Sequence, residues 1–191
     1  MEVENLGPVS WALKTNILRD RVMGIIKISQ QGYINDILQK YCVPDDSKTL
    51  SNDSNSLTQC VPTHQGTFIP ECGEEDKVVD DKLKKKFQSQ IGALWWLAGI
   101  SRPDIFYSVH QCSKLQNKPN KVLEKCLKKI FDYLSHTRHI GVVYNRDNNV
   151  PLLSGYADAA FASEDESVSR TGYFYLFKGN LVSFRRILRG L

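Results

Sequence analysis

Between Lys82 and Ser135 the chain repeats apolar residues at helical spacing three times, and a proline-containing break follows each of the first two repeats. Leu83, Phe87, Ile91, Leu94 and Ala98 form the first stripe, which Ser101-Arg102-Pro103-Asp104 interrupts. Ile105, Val109 and Cys112 form the second, ended by Asn117-Lys118-Pro119-Asn120. Leu123, Leu127, Ile130 and Leu134 form the third. Pro103 suits the first position of a helix, where its missing N–H costs nothing. Amphipathic helices joined by short breaks bury their stripes by packing on one another, so this region is expected to hold the core.

The flanks read differently. Residues 10–29 predict strands: Trp11-Ala12-Leu13 leads toward Ile17 and Leu18, Arg19-Asp20-Arg21 is a polar break, and Ile26 and Ile28 alternate with Lys27 and Ser29. Ile34, Leu38 and Tyr41, with Ile37 beside them, predict a helix over 31–41 that ends at Pro44-Asp45-Asp46. Residues 47–81 are poor in apolar residues and carry an acidic run from Glu71, so they read as a long loop or linker. Leu152 to Tyr156, Gly172 to Phe177 and Leu181 to Phe184 are short β-prone runs, and Lys178-Gly179-Asn180 is a hairpin turn signal. A β-meander needs partners or a covering helix, and the C-terminal part of the chain is expected to leave its strands incompletely covered.

Composition rules out some classes. Of 191 residues, 41% are hydrophobic and 24% charged, which is a globular rather than a disordered balance. The net charge of +4 only weakly suggests a polyanionic partner. Cys42, Cys60, Cys72, Cys112 and Cys126 contain no C-x-x-C pair, and no signal peptide precedes them, so reduced intracellular thiols are expected. The longest apolar stretch, Ile91 to Ile100, is too short to span a bilayer, and no membrane partner is expected.

Four groups of residues could carry chemistry or binding. Lys118, Lys121, Lys125, Lys128 and Lys129 recur at helical spacing and project on one side. They read either as a phosphate-neutralising row or as a solvated helix face, and Glu124 and Asp132 dilute their field. Lys82, Lys84, Lys85 and Lys86 form a second basic cluster beside the acidic run. Trp95 and Trp96 are read as core packing in preference to base stacking. Arg102 and Asp104 read as a structural bracket around a helix start. Cys126, His136 and His139 give a loose Cys-x9-His-x2-His without the paired cysteines of a zinc knuckle, and no zinc site is assigned to them.

Several blocks then fit one family. Asn5-Leu6-Gly7 with Trp11, Leu13 and Ile17 resembles the DLG…WFLGI stretch of copia-type reverse transcriptases. Ile28-Ser29-Gln30-Gln31-Gly32-Tyr33-Ile34 resembles LSQ…YI, and Ile91 to Ala98 with Ser101-Arg102-Pro103-Asp104-Ile105 resembles IGSLMYLA…TRPDI. Lys129-Ile130-Phe131-Asp132-Tyr133-Leu134 with Thr137 and Gly141 resembles RILRYLKGT…GL. Gly155-Tyr156-Ala157-Asp158-Ala159 with Ser169-Arg170-Thr171-Gly172-Tyr173 resembles GYSDADWAGD…STSGY, the opening of the ribonuclease H domain.

The resemblance implies a retrotransposon Pol polyprotein with an α+β architecture: reverse-transcriptase thumb- and connection-like helices followed by a truncated ribonuclease H-like β-meander. It implies the end of the polymerase palm over 1–46, a flexible linker over 47–81, the thumb-like helices over 82–144 and an incomplete ribonuclease H-like domain over 145–191. It also implies RNA/DNA hybrid or duplex nucleic acid as a weakly held partner of the five lysines, and other parts of the polyprotein as further partners. Mg2+ is the family's cofactor, and Asp158 matches the first ribonuclease H metal ligand.

The departures matter as well. No Tyr-x-Asp-Asp occurs; Asp45-Asp46 and Asp80-Asp81 lie in polar stretches. Asp158 is one carboxylate where magnesium needs several anionic ligands, so stable binding is not expected. Ala160, Leu123-Glu124 and His136 also depart from the family's pattern. Three functions stay open: a piece of polyprotein inactive in isolation, a retained nucleic-acid-binding module, and part of an active polymerase and ribonuclease H in a longer product.

Overall fold

The structure, a computed structural model, describes residues 7–41, 81–147, 149–160 and 169–189. In chain order the elements are β1 (Trp11–Ala12), β2 (Thr15–Asp20), β3 (Ile25–Ser29), α1 (Gln31–Tyr41), α2 (Asp81–Ile100), a 3-10 turn (Pro103–Ile105), α3 (Phe106–Lys114), α4 (Lys121–His136), β4 (Val142–Asn145), β5 (Leu153–Ala160), β6 (Ser169–Phe177) and β7 (Asn180–Arg189). This is the expected α+β class. The linker expected over 47–81 lies outside the described residues save Asp81, which opens α2 rather than closing a loop. The chain divides into two compact units, Met1–Asn16 with Ile28–Val142, and Ile17–Lys27 with Val143–Leu191.

The first unit holds the core. Ile34 and Ile37 of α1, Phe87, Ile91, Leu94, Leu97 and Ala98 of α2, Val109 and Cys112 of α3, and Leu123, Leu127, Ile130, Phe131 and Leu134 of α4 belong to one buried cluster. Each large apolar side chain buried this way stabilises the fold by about 1.5–3 kcal/mol. The expected stripe of α2 starts one turn late, because Leu83 is exposed and burial begins at Phe87. Pro103 stands at the start of the 3-10 turn leading into α3, as its fixed φ favours. Asn120 caps α4, its side-chain oxygen accepting the Leu123 N–H at 2.9 Å.

The strands are more numerous than the pattern predicts. β1 pairs antiparallel with β2, Trp11 opposite Asn16 and Ala12 opposite Thr15. The two-residue turn between them is Leu13-Lys14, both with positive φ (49° and 60°), a conformation that sequence reading expects of Asn or Gly. Leu13 therefore belongs to a turn, not to a strand. Arg19 and Asp20 belong to β2, and the break falls after them, where the Asp20 carboxylate accepts from the Val22 and Met23 N–H groups at 2.9 Å. β4 is a further strand, falling at the end of the stretch whose pattern predicts helices. A Cβ at Gly141, just before it, would run into the Ile28 carbonyl oxygen, so only glycine allows this close passage.

In the second unit β5, β6 and β7 form an antiparallel meander, with Tyr156 opposite Phe174 and Phe174 opposite Phe184. Lys178 and Gly179 make the tight turn, both at positive φ, as the sequence signal predicts. Asn180 braces it by accepting the Asn145 N–H at 2.7 Å and donating to the Asn145 carbonyl at 2.8 Å. Among the described residues, no helix is long and apolar enough to cross a membrane.

Candidate nucleic-acid interface

α4 is sharply two-sided. Leu123, Cys126, Leu127, Ile130, Phe131 and Leu134 are buried, while Lys121, Lys125, Lys128 and Lys129 are exposed. At 3.6 residues per turn these four lysines occupy an arc of about 100° and about 12 Å of helix length. Lys118, in the turn just before the Asn120 cap, is exposed too. Asp132 and His136 fall within the same arc, and Glu124 lies just outside it. The helix thus carries a basic face interrupted by a single acid, held outward by the burial of its other face. Arg138 follows the helix, also exposed, donating to the Ser135 carbonyl at 2.7 Å.

A second face carries no clear signal in the sequence. On α2, Lys82, Lys85, Ser89, Gly92, Trp96 and Gly99 are exposed and share one arc. A Cβ added at Gly92 or Gly99 would meet nothing, so open space lies over both. Trp96, 43% exposed, stands between them. The two tryptophans therefore divide their roles. Trp95 packs, with its ring 4.9 Å from Phe106 at 82° and 6.1 Å from His110 at 76°. Trp96 does not follow the core-packing expectation and offers a ring to solvent. The signal that separates them is helical phase: Trp96 is four residues from Gly92, on the side away from Leu94 and Leu97.

Arg102 and Asp104 form the expected bracket, and it reaches further than the helix start. The Arg102 side chain is fully buried. Its Nε donates to Asp104 Oδ1 at 2.9 Å and its Nη2 to Asp104 Oδ2 at 2.7 Å. Nη1 donates to the Thr137 carbonyl and Nη2 to Thr137 Oγ1, both at 2.8 Å. Tyr133 donates its hydroxyl to Asp104 Oδ2 at 2.7 Å, and burial together with that carboxylate hold the phenol above its ordinary pKa. The bracket ties the end of α4, and so the basic face, to the start of α3.

Asp158 lies exposed on β5, opposite Gly172. Among the described residues no cluster of three His, Cys, Asp or Glu side chains could hold a metal ion. One exposed carboxylate facing a glycine is not a donor set that fits magnesium, which needs further anionic oxygens. Cys126 sits in the core, whereas His136 is exposed with Nδ1 2.8 Å from the Asp132 carbonyl oxygen, so these two are not brought together.

Known proteins are similar to this chain in sequence. A retrovirus-related Pol polyprotein from transposon TNT 1-94 of Nicotiana tabacum is 27% identical over 189 residues, covering 98% of this chain. The corresponding polyprotein from transposon RE2 of Arabidopsis thaliana is 30% identical over 156 residues, 80% of this chain. The chain is similar over most of its length to Pol polyproteins of copia-type transposons. It spans only 14% of the tobacco polyprotein and 10% of the Arabidopsis one. A secreted RxLR effector protein of Plasmopara viticola is 32% identical over 100 residues, which is 52% of this chain and 70% of that protein. No protein-family model and no solved structure matches the chain.

Proposed function

We propose that this stretch of a copia-type Pol polyprotein is the thumb and connection of the reverse transcriptase running into the first strands of ribonuclease H, and that it holds the RNA/DNA hybrid while other parts of the polyprotein supply the chemistry. The observation that carries the reading is the outward arc of Lys121, Lys125, Lys128 and Lys129 on a helix whose opposite side is among the best-buried surfaces of the chain. Lysines so placed neutralise phosphates without reading bases. The open face of α2 adds a flat approach at Gly92 and Gly99 with a stacking ring at Trp96 between them. Asp158 descends from a magnesium ligand and acts as one only with carboxylates from outside the described residues.

Fluorescence anisotropy with an RNA/DNA hybrid over a salt series tests this. Binding is expected to be weak, independent of sequence and strongest at low salt. Replacing the four lysines with glutamine should reduce the slope of log affinity against log salt by about 0.9 for each phosphate no longer neutralised. Asp132→Asn should tighten binding by removing the acid from the row. An unchanged slope in the quadruple variant would mean that α4 is merely a solvated surface. Given magnesium and a primed template, the same chain is expected to incorporate no nucleotide, and chelator-sensitive incorporation would refute the division of labour.

A second reading, a self-sufficient binding module, is favoured by the Plasmopara relative. Its 100 matched residues make up 70% of it, so a related stretch occurs in a protein little longer than the match. The same titration on the isolated 191 residues separates the readings, because a module should bind at physiological salt without help from other parts.

A further inference from the structure

The last turn of α4 carries a histidine on the same outward arc as the lysines. His136 is exposed and lies seven residues beyond Lys129, which places it about 20° away in phase and about 10 Å further along the axis. Asp132 stands between them along the helix, four residues after Lys128 and four before His136. The His136 ring is held by one nitrogen: Nδ1 lies 2.8 Å from the Asp132 carbonyl oxygen and 3.1 Å from Ser135 Oγ. A carbonyl oxygen can only accept, so Nδ1 carries the proton of the neutral ring and Nε2 is a bare acceptor. Among the described residues Nε2 has no hydrogen-bond partner. A neutral His136 thus offers a lone pair, which repels a phosphate oxygen. Protonation turns that nitrogen into an N–H donor and adds a positive charge in one step.

The charged groups around this helix end have partners of their own. Asp104 of the 3-10 turn is bonded to Arg102 and to the Tyr133 hydroxyl, both at 2.7 Å, and Asp36 of α1 pairs with Lys14 at 3.3 Å. The start of α3 brings Tyr107, and His110 one turn on packs against Trp95. Arg138, just past α4, donates to the Ser135 carbonyl at 2.7 Å and to Asn35 of α1 at 3.4 Å, and His139 is exposed beside it. On α4 itself the Asp132 carboxylate is in no ion pair among the described residues. It is the charge that Lys128, Lys129 and His136 flank from one turn away on either side.

We propose that His136 is a further phosphate-binding residue of the α4 row, one that binds only in its protonated form, so that the hold on nucleic acid tightens as the pH falls. This rests on the reading of the lysine row as a hybrid-binding face. Charging His136 lengthens the row from about 12 Å to about 22 Å and brackets Asp132 with cations, Lys128 before it and the imidazolium after it. Histidine is the side chain that changes charge between about pH 5 and pH 8. One proton is taken up at Nε2 as a phosphate is bound, and no bond in the nucleic acid changes. His136 is also one of the positions where the chain departs from the family's blocks, so the response is this chain's own.

Fluorescence anisotropy on the full 191-residue chain with an RNA/DNA hybrid, over a salt series at about pH 8 and again at about pH 5.5, tests this. Affinity at low salt is expected to be about fivefold higher at the lower pH. The slope of log affinity against log salt should be steeper there by about 0.9, the mark of one more neutralised phosphate. His136→Gln, checked for folding by circular dichroism, should lose that extra slope. His136→Lys should show the steeper slope at both pH values, whereas His139→Gln should respond as the wild type does. A wild-type chain whose lysine-dependent slope is the same at both pH values, or a pH response that survives His136→Gln, overturns the proposal and leaves the lysine row standing. If replacing the four lysines changes nothing at pH 8, the row itself falls, and His136 has no site to extend.

Discussion

The buried guanidinium of Arg102 donates to the backbone carbonyl of Thr137 at 2.8 Å, joining residues 35 positions apart and fastening the last turn of α4 to the break between α2 and α3. That carbonyl is one of the acceptors a helix end leaves without an intrahelical donor. The Ile140 N–H supplies one donor at 3.1 Å and the arginine a second, charged one, while Asp104, 35% exposed, supplies the countercharge from two residues along. The pair therefore spans a gradient from core to solvent, and its two members are not equivalent.

Removing the arginine leaves the Thr137 carbonyl with the Ile140 N–H alone and the Asp104 carboxylate with the Tyr133 hydroxyl but no countercharge. Arg102→Ala is expected to destabilise by about 3 kcal/mol, measured by urea unfolding. Asp104→Asn keeps one oxygen for Tyr133 and is partly screened by solvent, so about 1 kcal/mol is expected. Arg102→Lys should fall between, since an ammonium cannot make the forked contact. Equal effects for Arg102→Ala and Asp104→Asn would show that the ion pair, not the carbonyl bridge, is what matters.

The helices are legible in the sequence because burial in this unit follows one period. Ile34 and Ile37, Phe87 to Ala98, and Leu123 to Leu134 are spaced as the sequence implies and are buried as that spacing implies. Leu13-Lys14 is not legible. Positive φ at two residues with Cβ atoms is set by the pairing of Trp11 with Asn16 and Ala12 with Thr15, and no local turn signal announces it. β4 escapes notice because Val142-Val143-Tyr144 is too short to show a period next to a long helix. In the candidate site, the lysine row can be read from spacing alone. The reach of Arg102 to Thr137 cannot, since nothing local links positions so far apart.

The tryptophan pair gives a clean separation of packing from binding. Trp95 lies edge-on to Phe106, so Trp95→Ala is expected to destabilise by about 2–4 kcal/mol. Trp96→Ala, on the open side of α2, should leave stability within about 0.5 kcal/mol. If the ring stacks on a nucleic-acid ligand, the same change should weaken hybrid binding about five- to tenfold, on the order of 1 kcal/mol. Urea unfolding and anisotropy on both variants decide it. A Trp96→Ala chain that unfolds as readily as Trp95→Ala would place Trp96 in the core after all.

Every buried apolar residue among the described ones lies in the unit formed by Met1–Asn16 and Ile28–Val142. The meander has a full ladder of strand pairs but thin cover: Leu153, Tyr156, Phe174, Tyr175 and Phe177 are all exposed. The Tyr156 and Phe174 rings stack at 4.7 Å and 18°, and Tyr175 covers Gly155, so cross-strand aromatic pairs stand in for a core. Such pairs contribute roughly 0.2–1 kcal/mol each, well below what a buried leucine contributes. Local opening should therefore be easy in the meander and hard in the helices. Amide hydrogen exchange is expected to show residues 87–134 protected close to the global unfolding limit and residues 153–184 exchanging faster. Slow exchange across 153–184 in a monomeric sample would mean that something covers those aromatic faces, and the meander would then have to be treated as part of a completed domain.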